Sequence, residues 1–302
     1  MKPVTPALRL SIISGLTVIY ALCFVAIKAG LAFAPPLRFA GLRVLIGGLV
    51  LFGLALALHQ PLLPPRRHWG GISALALTAT TVAFGAMFLS PGRAGAGIAS
   101  VLGNMQPLLA VVLAALFLGE RMTSGKWLTL ALGFTGVILI SVQALVSPDA
   151  YAVSGALLAL AVSLSAAVGN VIFKRLGFRD NLLVITAWQL VLGSLPLLAL
   201  TALVERSERV VWNAEFVGLL LFLALVGTAL AYAAWYWLLQ REELGHLTMF
   251  LFFIPVLGLG IAALAFGERI SLLEGIGSAL TVAAVASVEV GAARRQPADQ
   301  PA

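Results

Sequence analysis

The segment from Asn104 to Arg121, NMQPLLAVVLAALFLGER, returns from Phe252 to Arg269 as FFIPVLGLGIAALAFGER, with the proline, the apolar run and the closing Gly-Glu-Arg at one constant offset. Pro107 corresponds to Pro255, Gly119 to Gly267, Glu120 to Glu268 and Arg121 to Arg269. An apolar helix interrupted at Pro and stopped at Gly, present twice, implies that a larger unit is present twice. Upstream, the same offset carries Thr80, Phe84 and Gly97 onto Thr228, Tyr232 and Gly245. After a two-residue shift in a loop, Lys28 and Gly47 fall on Lys174 and Gly193. Two related halves are therefore expected, residues 1–148 and 149–302, the second ending in a short tail.

What such halves are made of follows from composition. With 61% hydrophobic and 10% charged residues in 302, and a mean hydropathy of +1.05, the chain has too few polar groups to cover a water-soluble surface. An all-α multi-pass membrane protein is expected. Apolar runs long enough to cross roughly 30 Å of hydrocarbon, ~20 residues each, lie near 10–30, 38–58, 70–90, 95–118, 126–146, 152–174, 182–204, 214–239, 246–266 and 272–292. These give ten helices, five in each half. Because five is odd, the second half must enter the membrane from the opposite side, so the halves are expected to be inverted repeats around a midplane site. Pro35-Pro36, Pro61 to Pro65, Pro91-Gly92 and Ser147-Pro148 end helices, and Ser271 with Glu274 spells a capping box that opens the tenth. Pro107 and Pro255 are expected mid-helix, where each frees a carbonyl and serves either as a hinge or gate or as a static kink.

Of the 19 Lys and Arg, 12 fall on the side of the N-terminus and 7 opposite, which puts both termini in the cytoplasm. Three of those seven, Lys28, Arg38 and Arg43, are expected at one spot. The first helix is retained rather than cleaved as a signal, because Lys28 interrupts its core and Pro35 follows the Ala32-Phe33-Ala34 triplet. Cys23 is the only cysteine, which excludes an intrachain disulfide and favours a small buried packing residue. The pI of 10.2 fits loops against anionic lipid better than nucleic acid. Trp69, Trp127, Trp188, Trp212 and Trp237 stand near helix ends and read as membrane-interface anchors. Glu120-Arg121 and Glu268-Arg269 read as brackets whose arginines reach headgroups.

The segment from Tyr20 to Phe52, with FVAIKAGL and LRVLIGGLVLF, and the two Gly-Glu-Arg segments resemble the EamA-type carriers of the drug/metabolite transporter (DMT) superfamily. The resemblance runs from about Leu10 to about Val290 and is similar to the YddG-like amino-acid exporters within that superfamily. It implies a ten-helix basket in the bacterial cytoplasmic membrane, with both termini inside. The central cavity would be lined by helices one, three, four, six, eight and nine and buttressed by five and ten. Tyr20 departs from the pattern, since many relatives carry Trp there.

Helical spacing independently marks inward faces. Helix one presents Thr17, Tyr20, Ala21, Phe24 and Lys28, and helix six Ser163, Ala166, Ala167, Asn170 and Lys174. Helix three presents Thr80, Phe84 and Phe88, and helix eight Thr228, Tyr232 and Tyr236 with Trp235 beside them. Helix four offers Gly97, Ser100, Asn104 and Pro107, and helix nine Gly245, Thr248, Phe252 and Pro255. Mixed small, polar and aromatic stripes suit a cavity wall, although small and hydroxyl residues also mark plain helix contacts in membranes. The substrate-binding candidates are Tyr20, Phe24, Phe84, Phe88, Asn104, Asn170, Tyr232, Trp235, Tyr236 and Phe252. For Tyr232, and above all for Tyr236, lipid-interface anchoring is the alternative. Lys28 and Arg43 either snorkel to the outer surface or attract a substrate carboxylate.

No carboxylate lies on these stripes, and Asp149, Asp180 and Asp299 fall in loops or tail. A proton-coupled exporter of cations normally trades its substrate against a buried acid. The expected function is therefore a secondary transporter exporting small metabolites, above all neutral or aromatic amino acids, by alternating access. Another DMT substrate, a channel or scramblase, and a membrane-embedded enzyme are the alternatives. An enzyme is disfavoured because His59 and His68 lack a matching Asp, Glu or Cys pattern. No metal, cofactor or nucleic acid is expected, the partners being a small solute and the bilayer, with monomer or homodimer left open. Coupling to protons through Glu274, Glu289 or His246 remains an alternative to facilitated export.

Overall fold

The computed structural model describes residues 5–90, 102–145, 152–177, 181–266 and 271–293, and these residues are all helical or connecting chain. The helices are α1 (Pro6–Gly30), α2 (Pro36–Ala57), α3 (Arg66–Leu89), α4 (Gln106–Leu118), α5 (Ser124–Leu145), α6 (Ala152–Leu176), α7 (Leu182–Val204), α8 (Ala214–Leu239), α9 (Leu244–Met249, Phe250–Phe252 and Phe253–Phe266) and α10 (Leu272–Ala293). Seven of the described helices, α1, α2, α3, α6, α7, α8 and α9, are long and apolar enough to cross a membrane; α4, α5 and α10 contribute shorter apolar stretches.

Local chemistry explains the ends. Thr5 accepts from Leu8 N (3.4 Å) to open α1 with Pro6 in its first turn, and Asn213 accepts from Phe216 N (2.7 Å) to open α8. Ser271 and Glu274 form the expected capping box, with Ser271 N donating to Glu274 Oε2 (2.7 Å) and Glu274 N to Ser271 Oγ (3.3 Å). Gly119 stops α4 in the left-handed region at φ 68°, where an L side chain would be strained.

Two kinds of interruption correct the sequence expectations. Pro107 does not sit mid-helix. The chain turns at Asn104 and Met105, and Pro107 occupies the first turn of the helix that restarts at Gln106. Likewise Pro255 follows the 3₁₀ stretch Phe250–Phe252, close to the start of the segment Phe253–Phe266. A first turn tolerates the missing N–H, so proline marks the restart and does not kink a continuous helix. The second kind is a wide π-turn, at Ala76–Val82 in α3 and at Leu225–Leu230 in α8. Here hydroxyls serve the displaced carbonyls, Thr81 Oγ1 donating to Ala76 O (3.1 Å) and Thr228 Oγ1 to Leu223 O (2.8 Å).

The packing repeats itself. α2 lies along α7 and α5 along α10; α4 packs on α6 and α1 on α9; α3 packs on α7 and α8 on α2. At one crossing a Cβ on Gly193 would sit 2.5 Å from Thr80 Cβ. At its counterpart a Cβ on Gly47 would sit 3.0 Å from Thr228 Cγ2. These are the glycine and threonine pairs that the sequence offsets align. On the offset that carries Gly47 onto Gly193, Arg43 falls on Gln189, and each reaches the aligned threonine: Arg43 Nε donates to Thr228 Oγ1 (2.8 Å) and Gln189 Nε2 to Thr80 Oγ1 (3.1 Å).

Candidate functional site

Among the described residues, a cavity of about 190 Å³ lies between α1, α2, α3, α4, α6, α8 and α9. Tyr20, Phe24 and Arg43 line one flank, Phe84, Tyr232 and Trp235 another, and Asn104, Pro107 and Asn170 a third, with Tyr236 at depth. Phe24 is 57% exposed and Tyr236 only 1%. The polar wall groups are held by neighbours: Trp235 Nε1 donates to Asn170 Oδ1 (2.9 Å), Tyr232 Oη to Ala79 O (2.8 Å), and the single Ser163 hydroxyl proton is shared between Leu102 O and Gly103 O (2.7 Å each).

Arg43 is the one charged group among the described lining residues, and it is 3% exposed. Besides Thr228, its Nη2 donates to Gly227 O (3.0 Å) and approaches Cys23 Sγ (3.7 Å). Its guanidinium lies 5.0 Å from the Phe84 ring centre and 5.9 Å from that of Phe88. Every one of these partners is neutral. Nη1, buried, has no hydrogen-bond partner among the described residues. Arg43 is thus a cavity-lining cation held by neutral groups, with one buried donor unpartnered among the described residues.

Two clusters adjoin Tyr236 and the helix ends near it. Phe173 stacks on Tyr236 with ring centres 3.9 Å apart and planes 5° from parallel. From Lys174, the residue after Phe173, and from the ends of several other elements, charges converge on Glu120, whose side chain is 9% exposed. Its carboxylate accepts from Leu244 N (2.7 Å) and Gly245 N (3.0 Å), which caps α9, and stands 3.6 Å from Lys126 Nζ and 3.7 Å from Lys174 Nζ. Lys126 also bridges to Glu243 (2.8 Å), Lys174 Nζ donates to Glu242 O, and Glu242 stands 3.8 Å from both Arg9 and His246.

His246 above all, with Arg9 and Lys174, holds the Glu242 carboxyl below the usual carboxylate range, and Lys126 does the same for Glu243. Carboxyls that are stronger acids when folded contribute stability that is fully present above the ordinary carboxylate range and lost as pH falls through their lowered values. The Glu242→Gln/Glu243→Gln double variant should therefore unfold at a lower temperature than the parent near neutrality. That gap should close below about pH 4, as followed by thermal unfolding across a pH series.

The structure brings most of the sequence candidates together and separates others. Lys28, Arg38 and Arg43 have different partners. Lys28 is exposed and off the cavity wall. Arg38 donates to Glu208 O (2.8 Å) and Glu205 O (3.1 Å), while the Glu205 carboxylate caps α2 at Leu37 N (2.7 Å) and Arg38 N (3.0 Å). Phe88 packs edge-on against Phe39 at 5.2 Å and off the wall: within the regular segment Ala83–Leu89 the wall runs from Phe84 to Met87, a step of three, and the step of four to Phe88 turns into the core. Phe252 is fully buried against Gly133, and the 3₁₀ stretch turns Leu251 and Ile254 to the cavity in its place. Tyr236 faces the core, not lipid. Pro255 is not among the lining residues, whereas Cys23, expected to be only a packing residue, is. Trp69 and Trp188 meet at 4.9 Å, Trp188 Nε1 donates to Leu62 O (2.8 Å), and Trp127 and Trp212 are exposed. Gly97, Ser100, Glu268 and Arg269 lie outside the described residues.

The profile of the EamA-like transporter family matches this sequence twice, over residues 9–142 and 153–289. The chain belongs to the EamA-like transporter family. This EamA-like protein is 34% identical over 252 residues to the transporter YvbV of Bacillus subtilis, covering 82% of the chain and 81% of the relative. It is 30% identical over 278 residues to a probable amino-acid metabolite efflux pump of Salmonella typhimurium, covering 88% and 89%, and 28% identical over 272 residues to a protein of the same description from Escherichia coli, covering 87% and 88%. One crystal structure superposes with a TM-score of 0.80 at 21% identity over 95% of this chain and 98% of the other, a likeness of fold. Membership makes the chain a multi-pass membrane protein of a transporter family.

Proposed function

We propose that this EamA-like protein is a secondary transporter that exports small metabolites, neutral or aromatic amino acids first among them, by alternating access through the central cavity. The observation that carries the reading is Arg43, a buried cation with an open Nη1 in a wall otherwise built from aromatic and neutral groups. Such a wall suits a solute with one carboxylate and an apolar or aromatic body. Two relatives described as probable amino-acid metabolite efflux pumps lend the amino-acid assignment further support.

The alternation rests on a ten-helix architecture of two inverted five-helix halves, 1–148 and 149–302. The two family matches, the paired packing, the π-turns at aligned positions and the Arg43/Thr228 and Gln189/Thr80 pairs support it. In this reading both termini are cytoplasmic in a bacterial inner membrane. The Glu120 cluster is the closed inner gate, and the restarts at Pro107 and Pro255 are where helices four and nine bend. Purified protein in liposomes preloaded with phenylalanine should take up labelled phenylalanine in a saturable way, several-fold faster than empty liposomes. Flux that neither saturates nor responds to internal substrate would replace the carrier with a channel.

A further inference from the structure

The cavity's charge balance goes further than the amino-acid reading on which it rests. A zwitterion offers a carboxylate and an ammonium, but the wall is prepared for only one of them. The carboxylate meets Arg43, whose Nε and Nη2 are engaged by Thr228 and Gly227 and whose Nη1 is buried and unpartnered among the described residues. The ammonium meets no carboxylate among the described lining residues. The full sequence places its acidic residues at helix ends, loops and tail, and the undescribed stretch 91–101 adds none.

Neutral acceptors in the wall offer an ammonium only dipoles, and several of them are already engaged by the protein. Asn170 Oδ1 takes the Trp235 indole N–H, Ala79 O the Tyr232 hydroxyl and Gly227 O the Arg43 guanidinium, while Leu102 O and Gly103 O share the single Ser163 hydroxyl proton. A second cation would also be repelled by Arg43 in a site of low dielectric.

We propose that this site selects monocarboxylates with an apolar or aromatic body, and that an α-amino group on the ligand is carried without being recognised. Aromatic and branched-chain carboxylic acids lacking the amino group are then ligands as good as the amino acids themselves, and amines lacking the carboxylate are not ligands.

The test uses the purified full chain in detergent, with quenching of tryptophan fluorescence as the readout and 3-phenylpropionate, L-phenylalanine and phenethylamine as probes. Trp235, in the cavity wall, provides the signal. The expected result is that 3-phenylpropionate binds at least as tightly as phenylalanine and that phenethylamine does not compete. Arg43→Gln should weaken 3-phenylpropionate by about 30-fold, the worth of one charge-assisted hydrogen bond. Arg43→Lys should keep the preference for the acid over the amine. Should Arg43→Gln fail to fold, the order of the three probes on the parent protein still decides.

Binding of phenethylamine, a preference of 10-fold or more for phenylalanine over 3-phenylpropionate, roughly as large as one hydrogen bond, or no binding by any of the three overturns the inference. Liposome exchange separates it from the reading beneath. If phenylalanine exchanges while 3-phenylpropionate does not bind, the inference fails and the amino-acid exporter stands. If 3-phenylpropionate binds and no amino acid exchanges, the assignment to amino acids fails and the monocarboxylate site stands.

Discussion

Glu120→Ala is expected to destabilise the protein by about 3 kcal/mol and to open the inner gate of the cavity. The carboxylate serves two backbone N–H groups at the start of α9, and without it Leu244 N and Gly245 N face a methyl group. It also balances Lys126 and Lys174, of which Lys126 keeps Glu243 and Lys174 keeps only a carbonyl. At 9% exposure the side chain is shielded enough that water does not make up the loss. Glu120→Gln, which keeps an acceptor for α9 but no charge, should cost about half as much. Accessibility is read with Ala166→Cys, a lining position, in a Cys23→Ala background. A membrane-impermeant thiol reagent applied from the side of Arg9 should label it several-fold faster once Glu120 is replaced. Unchanged labelling together with an unchanged unfolding midpoint would mean that the cluster is a surface feature and seals nothing.

How much of this was legible in the sequence depended on how local the signal was. The capping box at Ser271 and Glu274 needed only four consecutive residues, and the structure forms it as written. The alignment of Thr80 with Thr228 and of Gly47 with Gly193 was equally readable, because a close crossing demands a small residue on one side and a fixed partner on the other. Cavity residues were found where the period of 3.6 held: Tyr20 and Phe24 on α1, Asn170 on α6. The period failed across the 3₁₀ stretch of α9, where the stripe pointed to Phe252 and the wall has Leu251 and Ile254. On α3, beyond the π-turn, the stripe took the step of four from Phe84 to Phe88 where the wall takes the step of three to Met87. Nothing in the local sequence announces a π-turn beyond threonines that can feed its carbonyls. Glu120 was missed as a hub because its partners come from distant parts of the chain. A clue was available in α9 itself, whose start at Glu243 has no side-chain cap of its own and so needs an acceptor from elsewhere. Arg43 and Lys28 looked alike as cations in apolar helices. Only packing separates a guanidinium wedged between Phe84 and Thr228 from an ammonium at the surface.

Gly136→Val is expected to cost about 3 kcal/mol or more and to deplete folded protein in the membrane. A Cβ at Gly136 would lie 2.2 Å from Thr281 Oγ1 and 2.6 Å from Gly277 O, and a Cβ at Gly277 would lie 2.7 Å from Gly136 O. One of those atoms is a side-chain hydroxyl that can rotate; the carbonyls are backbone and cannot move without forcing α5 and α10 apart. Adding Thr281→Ala to Gly136→Val should therefore recover only part of the loss. Gly15→Ala, where nothing lies within 4 Å of the added carbon, is the matched control and should leave the yield unchanged. Gly136 packs against α10, and no residue of α5 or α10 is among the described lining residues of the cavity. The variant protein that does fold should keep the parent's order of preference among solutes. A Gly136→Val protein with normal yield would show that the α5 and α10 seam can open without consequence, and one with normal yield but altered preference would move these helices from brace to binding site.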